Sequence, residues 1–228
     1  MGTPQFAVPS LEALVGEHEI VCVVTQPDRR AGRGRKLTPP PVKEAALRHG
    51  LSVWQPPTLR EPQAIAHLKE LAPQVMVVVA YGEILRPEVL SIPPHGVINV
   101  HASLLPRYRG PSPIAAAILA GDTETGVTVM LMDEGMDTGP ILSQATCPIA
   151  PDDTAGTLGE RLALLGANLL ANTLPRWLRG EITPRPQDHQ QATYCRLLRK
   201  EDGLIDWSRP AEELARQVRA YHPWPGSY

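Results

Sequence analysis

The sequence predicts an α/β fold built on a doubly wound, mostly parallel sheet, and three of its features carry that prediction. Short β-branched runs alternate with amphipathic stretches from residue 19 to residue 132, the order in which parallel strands are joined by helices laid over a sheet. Residues 75–80 read VMVVVA, apolar at every position; neither pleat face of such a strand can meet water, so helices must cover both. The longest helical pattern, residues 154–179, sets its leucines along one stripe, the face that a helix lays across a sheet.

Taken in order, Gly2-Thr3-Pro4 reads as a strand-to-helix turn opening a helix over residues 8–14, with no strand written ahead of it, so a βαβ unit lacking its first strand is expected. A strand over residues 19–25 precedes a helix at 41–49, and a strand at 52–54 precedes a helix at 62–71. Residues 74–80 form the central strand, followed by a strand at 97–101, a helix at 114–120 and a strand at 127–132. Thr154 offers an N-cap to the long helix, Leu158, Leu162, Leu165, Leu169 and Leu170 its stripe, and Gly180 its end. After that glycine the text turns polar and proline-rich (EITPRPQDHQQATY), then regains structured character at 203–207 and 211–221. The expected organisation is an α/β domain over residues 1–182, a linker over 183–201, and the start of a truncated further domain over 202–228.

Composition removes several classes of function. A chain of 228 residues, 43% hydrophobic and 20% charged, buries a full core in one domain, and a monomer is expected. Its longest apolar runs fall far short of the roughly 20 residues that a membrane-spanning helix needs. No basic segment followed by an apolar core opens the chain, and the three cysteines, Cys22, Cys147 and Cys195, are odd in number and in no CxxC pair, which fits a reducing, cytoplasmic setting. They read as small buried hydrophobes without chemistry. A net charge of −2 excludes a surface that is basic all over, so a polyanion site must be local.

Three segments could carry chemistry. Asn99 and His101 lie two residues apart at the end of a strand, so both side chains leave the same face at the carboxyl edge of the sheet, where open α/β sheets bind ligands. The proline and glycine of the following SLLPRYRG break the strand and fold a loop over the pair. Residues 132–139, MDEGMDTG, form a glycine-punctuated acidic loop that also leaves a strand end; such loops are often only turns, and Asp137 gains a role if it meets His101. No HxxxH, HExxH or Cys/His cluster supports a metal, and none is expected. Residues 29–36, RRAGRGRK, set five positive charges in eight positions with no acid among them. Arginines interleaved with glycine favour bidentate phosphate contacts and adaptable docking over a solvated charge run.

These segments, with MGTPQFAVPSLEAL, TQPDRRAGRGRKLTPPPVKEAA, VVVAYGEILRPEVL, NVHASLLPRYRGPSPI, TGVTVMLMDEGMDTGPIL and RKEDGLIDW, resemble the methionyl-tRNA formyltransferase family of folate-dependent enzymes across nearly the whole chain. The resemblance implies a Rossmann-like formyltransferase fold, 10-formyltetrahydrofolate as the formyl donor, and initiator methionyl-tRNA as the partner whose amine accepts. It implies a catalytic trio of Asn99, His101 and Asp137, a folate lying against Ser103, Leu104, Leu105 and Pro106, and tRNA contact by Arg29, Arg30, Arg33, Arg35 and Lys36. Family members also carry a strand before MGTP and a β-barrel domain after the linker. Since the Asn-x-His signature is common to all formyltransferases of this fold, a sugar-amine N-formyltransferase is the alternative enzyme, and a non-catalytic tRNA- or folate-binding fragment is the alternative of another class.

Overall fold

A computed structural model describes residues 1–31 and 36–228. Helix α1 (Val8–Leu14) follows the opening turn; β1 (Val23–Val24), the hairpin of β2 (Arg29–Ala31) and β3 (Lys36–Thr38), α2 (Pro41–Arg48), β4 (Val53–Trp54) and α3 (Pro62–Glu70) come next. Then β5 (Met76–Val78), a short α4 (Pro87–Leu90), β6 (Val97–His101), α5 (Pro113–Ala120), β7 (Glu124–Leu131), β8 (Ile141–Pro148), the long α6 (Ala155–Leu178) and α7 (Ala211–Ala220) complete the order. Each of α1 to α5 has a proline in its first turn, where the missing N–H is an orphan in any helix and the fixed φ suits the entry.

β4 pairs with β1 and β5 with β6 in parallel, while β7 and β8 add antiparallel. Met1 and Gly2 join the two parallel halves: the Gly2 N–H donates to the Val24 carbonyl at 3.0 Å, and the Val79 N–H donates to that of Met1 at 2.9 Å. Beneath them lies an apolar cavity of about 430 Å³, walled by Val23, Leu68, Val77 and Leu174 among others. β8 is absent from the pattern of the sequence. It pairs along the whole antiparallel edge that β7 offers, from Glu124 opposite Pro148 to Met130 opposite Ile141.

Alternation sorts the strands into two cores. Val23, Ile98, Val100, Val127 and Val129 face one layer with Leu158, Leu162 and Leu170 of α6. Val24, Met76, Val78 and Val97 face the other with Leu59, Leu68 and Val89. The sheet is thus covered on both sides, as the all-apolar central strand demands. The Thr154 side chain accepts from the Thr157 N–H and caps α6; Gly166 lets this helix descend onto the sheet, since a Cβ there would come within 2.9 Å of Val100. Residues 97, 99 and 101 share the face turned away from α6, and at the end of β6 a loop replaces the covering helix. Among the described residues no helix is long and apolar enough to cross a membrane.

Candidate active site

The end of β6 delivers Asn99 and His101 to the carboxyl edge, next to the end of the parallel β5 and alongside the antiparallel β7, with Asn99 opposite Met130 and His101 opposite Thr128. The acidic loop after β7 brings Asp137 to the same point. Its Oδ1 accepts from Asn99 Nδ2 at 3.5 Å and its Oδ2 lies 3.7 Å from His101 Nδ1. The carboxylate is fixed by a shorter bond, 2.7 Å, from the backbone N–H of Gly110. His101 is 7% exposed, and its Nε2 lies 2.9 Å from the carbonyl of Tyr108. A carbonyl only accepts, so Nε2 carries a proton, and Nδ1 is the nitrogen free to gain or lose one beside Asp137.

The loop over the pair is held tightly. Asp137 and Tyr108 are non-glycine residues at φ of +54° and +56°, a conformation that persists only where the surroundings over-determine it. The Tyr108 hydroxyl donates to Asp122 at 2.6 Å and accepts from Arg107, which also pairs with Asp122 at 2.7 Å. Burial, with that bond to Asp122, pushes the Tyr108 phenol up to about 12, so it stays a neutral donor at working pH. Ser103 Oγ donates to the Arg107 carbonyl at 2.6 Å, and Thr128 Oγ1 bridges the Leu105 N–H and the Ser103 carbonyl.

Of the four residues expected against folate, Ser103 and Leu105 are buried, Leu105 in a small cluster with Met130 and Ile141. They shape the loop from within, while Leu104 and Pro106 are half-buried. Arg29, Arg30 and Lys36 stand exposed on the β2–β3 hairpin; Arg33 and Arg35 lie outside the described residues. The hairpin is anchored at its base by Lys43, which pairs with Asp28 at 2.8 Å. That bond, and a second from Gln55, hold the Asp28 carboxyl below the usual carboxylate range. Under the hairpin opens a cavity of about 410 Å³ walled by Pro4, Pro27, Pro39, Pro40 and Tyr81.

Sequence reasoning missed what the proline-rich segment after α6 does. The backbone of 193–195 runs alongside the loop: Arg109 N–H donates to Thr193 O and Cys195 N–H to Arg109 O, both at 2.8 Å. The Cys195 Sγ accepts from the Ser112 N–H at 3.3 Å. Burial pushes its thiol up, so it is no nucleophile at neutral pH. Nothing local in QDHQQATYC marks these contacts. Among the described residues no group of three or more His, Cys, Asp or Glu is placed to hold a metal ion.

Two family models match the chain: "Formyl transferase" over residues 1–174 and "Formyl transferase, C-terminal domain" over 197–228. Methionyl-tRNA formyltransferase of Chloroflexus aurantiacus is 61% identical over all of this chain and 74% of the relative's length. That of Trichlorobacter lovleyi is 54% identical over all of this chain and 72% of the relative. Among solved structures, the N-formyltransferase of Helicobacter canadensis, in complex with folinic acid and dTDP-3-aminofucose, superposes with a TM-score of 0.73 at 22% identity, covering 96% of this chain and 78% of that one. HypX of Aquifex aeolicus with tetrahydrofolic acid gives 0.65 at 20% identity, over 81% and 32%; at such identities the likeness is one of fold.

Proposed function

The chain belongs to the formyl transferase family, and from that premise we propose that it transfers the formyl group of 10-formyltetrahydrofolate to the α-amine of initiator methionyl-tRNA, for translation initiation in the cytoplasm. The observation that carries the reaction is the meeting of Asn99, His101 and Asp137 within 3.7 Å at the carboxyl edge of the sheet. The acceptor follows from relatives of 54–61% identity named for methionyl-tRNA, against 22% for the sugar enzyme from Helicobacter canadensis. The three cysteines are free, in keeping with a reducing compartment.

The donor set suits a formyl carbonyl on a folate lying against the loop of Ser103, Leu104, Leu105 and Pro106. An α-amine with an ordinary pKa of about 8 is partly neutral at pH 7, so no strong base is needed to make the nucleophile. The demanding steps are bearing negative charge on the formyl oxygen and protonating the leaving folate nitrogen. Asn99 Nδ2 and the Nδ1–H of a protonated His101 donate toward that oxygen. As the new C–N bond forms, Asp137 takes the ammonium proton directly or through a water. As the old C–N bond breaks, His101 passes a proton to the departing nitrogen. Positioning two bound nitrogens around one carbon supplies much of the remaining acceleration, and no covalent enzyme intermediate enters.

The test is to incubate the chain with 10-formyltetrahydrofolate and either charged initiator tRNA or a dTDP-amino sugar. Formylmethionyl-tRNA is the expected product; sugar product alone would overturn the acceptor, and no product from folded protein would favour a binding fragment. We assign tRNA contact to Arg29, Arg30, Arg33, Arg35 and Lys36. Replacing Arg33 and Arg35 by alanine is expected to weaken tRNA binding and flatten its dependence on log salt by about one unit per lost phosphate contact, read from affinity at several salt concentrations. An unchanged slope would leave those two arginines in solvent.

A further inference from the structure

One side chain from outside both active-site loops ties them together. Gln187, in the proline-rich segment after α6, is 6% exposed. Its Oε1 accepts from Arg109 Nε at 3.0 Å and Nη2 at 2.7 Å, and its Nε2 donates to the carbonyls of Asp137 at 2.9 Å and Gly139 at 2.7 Å. Both donors and both lone pairs of the amide are used. Its orientation is therefore forced, because a flipped amide would aim N–H groups at a guanidinium and an oxygen at two carbonyls.

Arg109 is 1% exposed, and among the described residues no carboxylate pairs with it. Besides Gln187, its hydrogen-bond partners among the described residues are the Tyr194 hydroxyl at 3.2 Å and His189 Nδ1 at 3.3 Å. A guanidinium out of water needs its acceptors, so Gln187 is the principal group keeping it in place. The next residue, Gly110, supplies the N–H that grips the Asp137 carboxylate. The bonds close a ring: Gly110 holds the Asp137 side chain, Gln187 holds the Asp137 carbonyl, and Arg109 joins Gln187 back to Gly110. Asp137 sits inside it at φ +54°, where an unsupported aspartate would relax.

We propose that Gln187, bonded to Arg109, is a positioning residue for formyl transfer, holding the Asp137 backbone so that its carboxylate faces His101 and Asn99. This rests on the reading above that Asp137 serves the reaction. Gln187→Leu removes all four bonds. Gln187→Glu keeps an acceptor for Arg109, so the buried guanidinium stays paired, and loses both donors to the Asp137 loop.

The experiment compares both variants, Asp137→Asn and the double variant Gln187→Leu/Asp137→Asn in single-turnover formylation of charged initiator tRNA. In the same chains, labelled with ¹⁵N, it follows the Gly110 amide proton. Both Gln187 variants are expected to react about tenfold to a hundredfold more slowly, the range that a misplacement of about 1 Å costs, with KM little changed. The double variant should be no slower than Asp137→Asn, because a residue acting only through Asp137 has nothing left to position. The Gly110 amide proton should move upfield as its bond to a carboxylate lengthens. A folded Gln187→Glu chain at the parental rate, a double variant whose losses multiply, or an unmoved Gly110 resonance would each overturn the proposal. A parental rate in Asp137→Asn would instead sink the catalytic reading, and the Gly110 resonance would still decide whether Gln187 sets that carboxylate.

Discussion

His101→Ala is expected to slow formyl transfer by about 10²- to 10³-fold, the loss that follows removal of one donor aimed at a developing oxyanion. The imidazole does two things that no neighbour can take over. Its Nδ1 faces the Asp137 carboxylate, while its Nε2 is fixed by the Tyr108 carbonyl, so one nitrogen is anchored and the other is free to exchange a proton. Arg109 is packed away at 1% exposure, and the Tyr108 phenol, pushed up to about 12, gives up no proton at working pH. The measurement is the single-turnover rate with saturating donor, beside a thermal unfolding curve to establish that the variant is folded. A loss smaller than tenfold in a folded chain would remove His101 from the chemistry.

Gly110→Ala should damage both stability and rate. The residue sits at φ +111°, where a side chain is strained, and an added Cβ would collide with the backbone carbonyl of Cys195. Backbone strain of about 1–3 kcal/mol and overpacking of about 1–3 kcal/mol together suggest a loss of roughly 2–6 kcal/mol in a urea titration. The collision pushes apart the loop and the strap of 193–195, and the Gly110 N–H that holds Asp137 at 2.7 Å moves with them. Turnover should therefore fall even well below the unfolding midpoint. A variant as stable and as fast as the parent would mean that the strap yields freely and that the Gly110 contact is incidental.

Several elements were legible because their causes are local. Prolines at residues 41, 62 and 113 announce the starts of α2, α3 and α5, and Thr154 caps α6 as its residue type requires. The leucine stripe of that helix was read with one distortion: Leu158, Leu162 and Leu170 are buried, whereas Leu165 and Leu169 pack only in part. The short α4 and the strand β8 were not legible, the first for lack of length and the second because its strand character comes from β7 alongside it.

At the site, the spacing of Asn99 and His101 on one strand face follows from the two-residue period of a strand, and the glycines of residues 132–139 mark a turn. That much the sequence determined by itself: two sets of polar groups, each delivered to a strand end, within a sheet covered on both faces. Tertiary structure alone decided that they meet. Asn99 and Asp137 are 38 positions apart, and Arg109 and Gln187 are 78 apart; no periodicity or cap rule acts over such distances. The contacts arise because β6 and β7 lie side by side in antiparallel register, so that the loop after β7 starts beside the first residues of β6 and turns back to Asn99 and His101, and because a buried guanidinium must find acceptors wherever the returning chain supplies them. Periodicity and capping are properties of a few consecutive residues, whereas the alignment of Asp137 depends on the packing of the whole sheet and of the segment that crosses back over it.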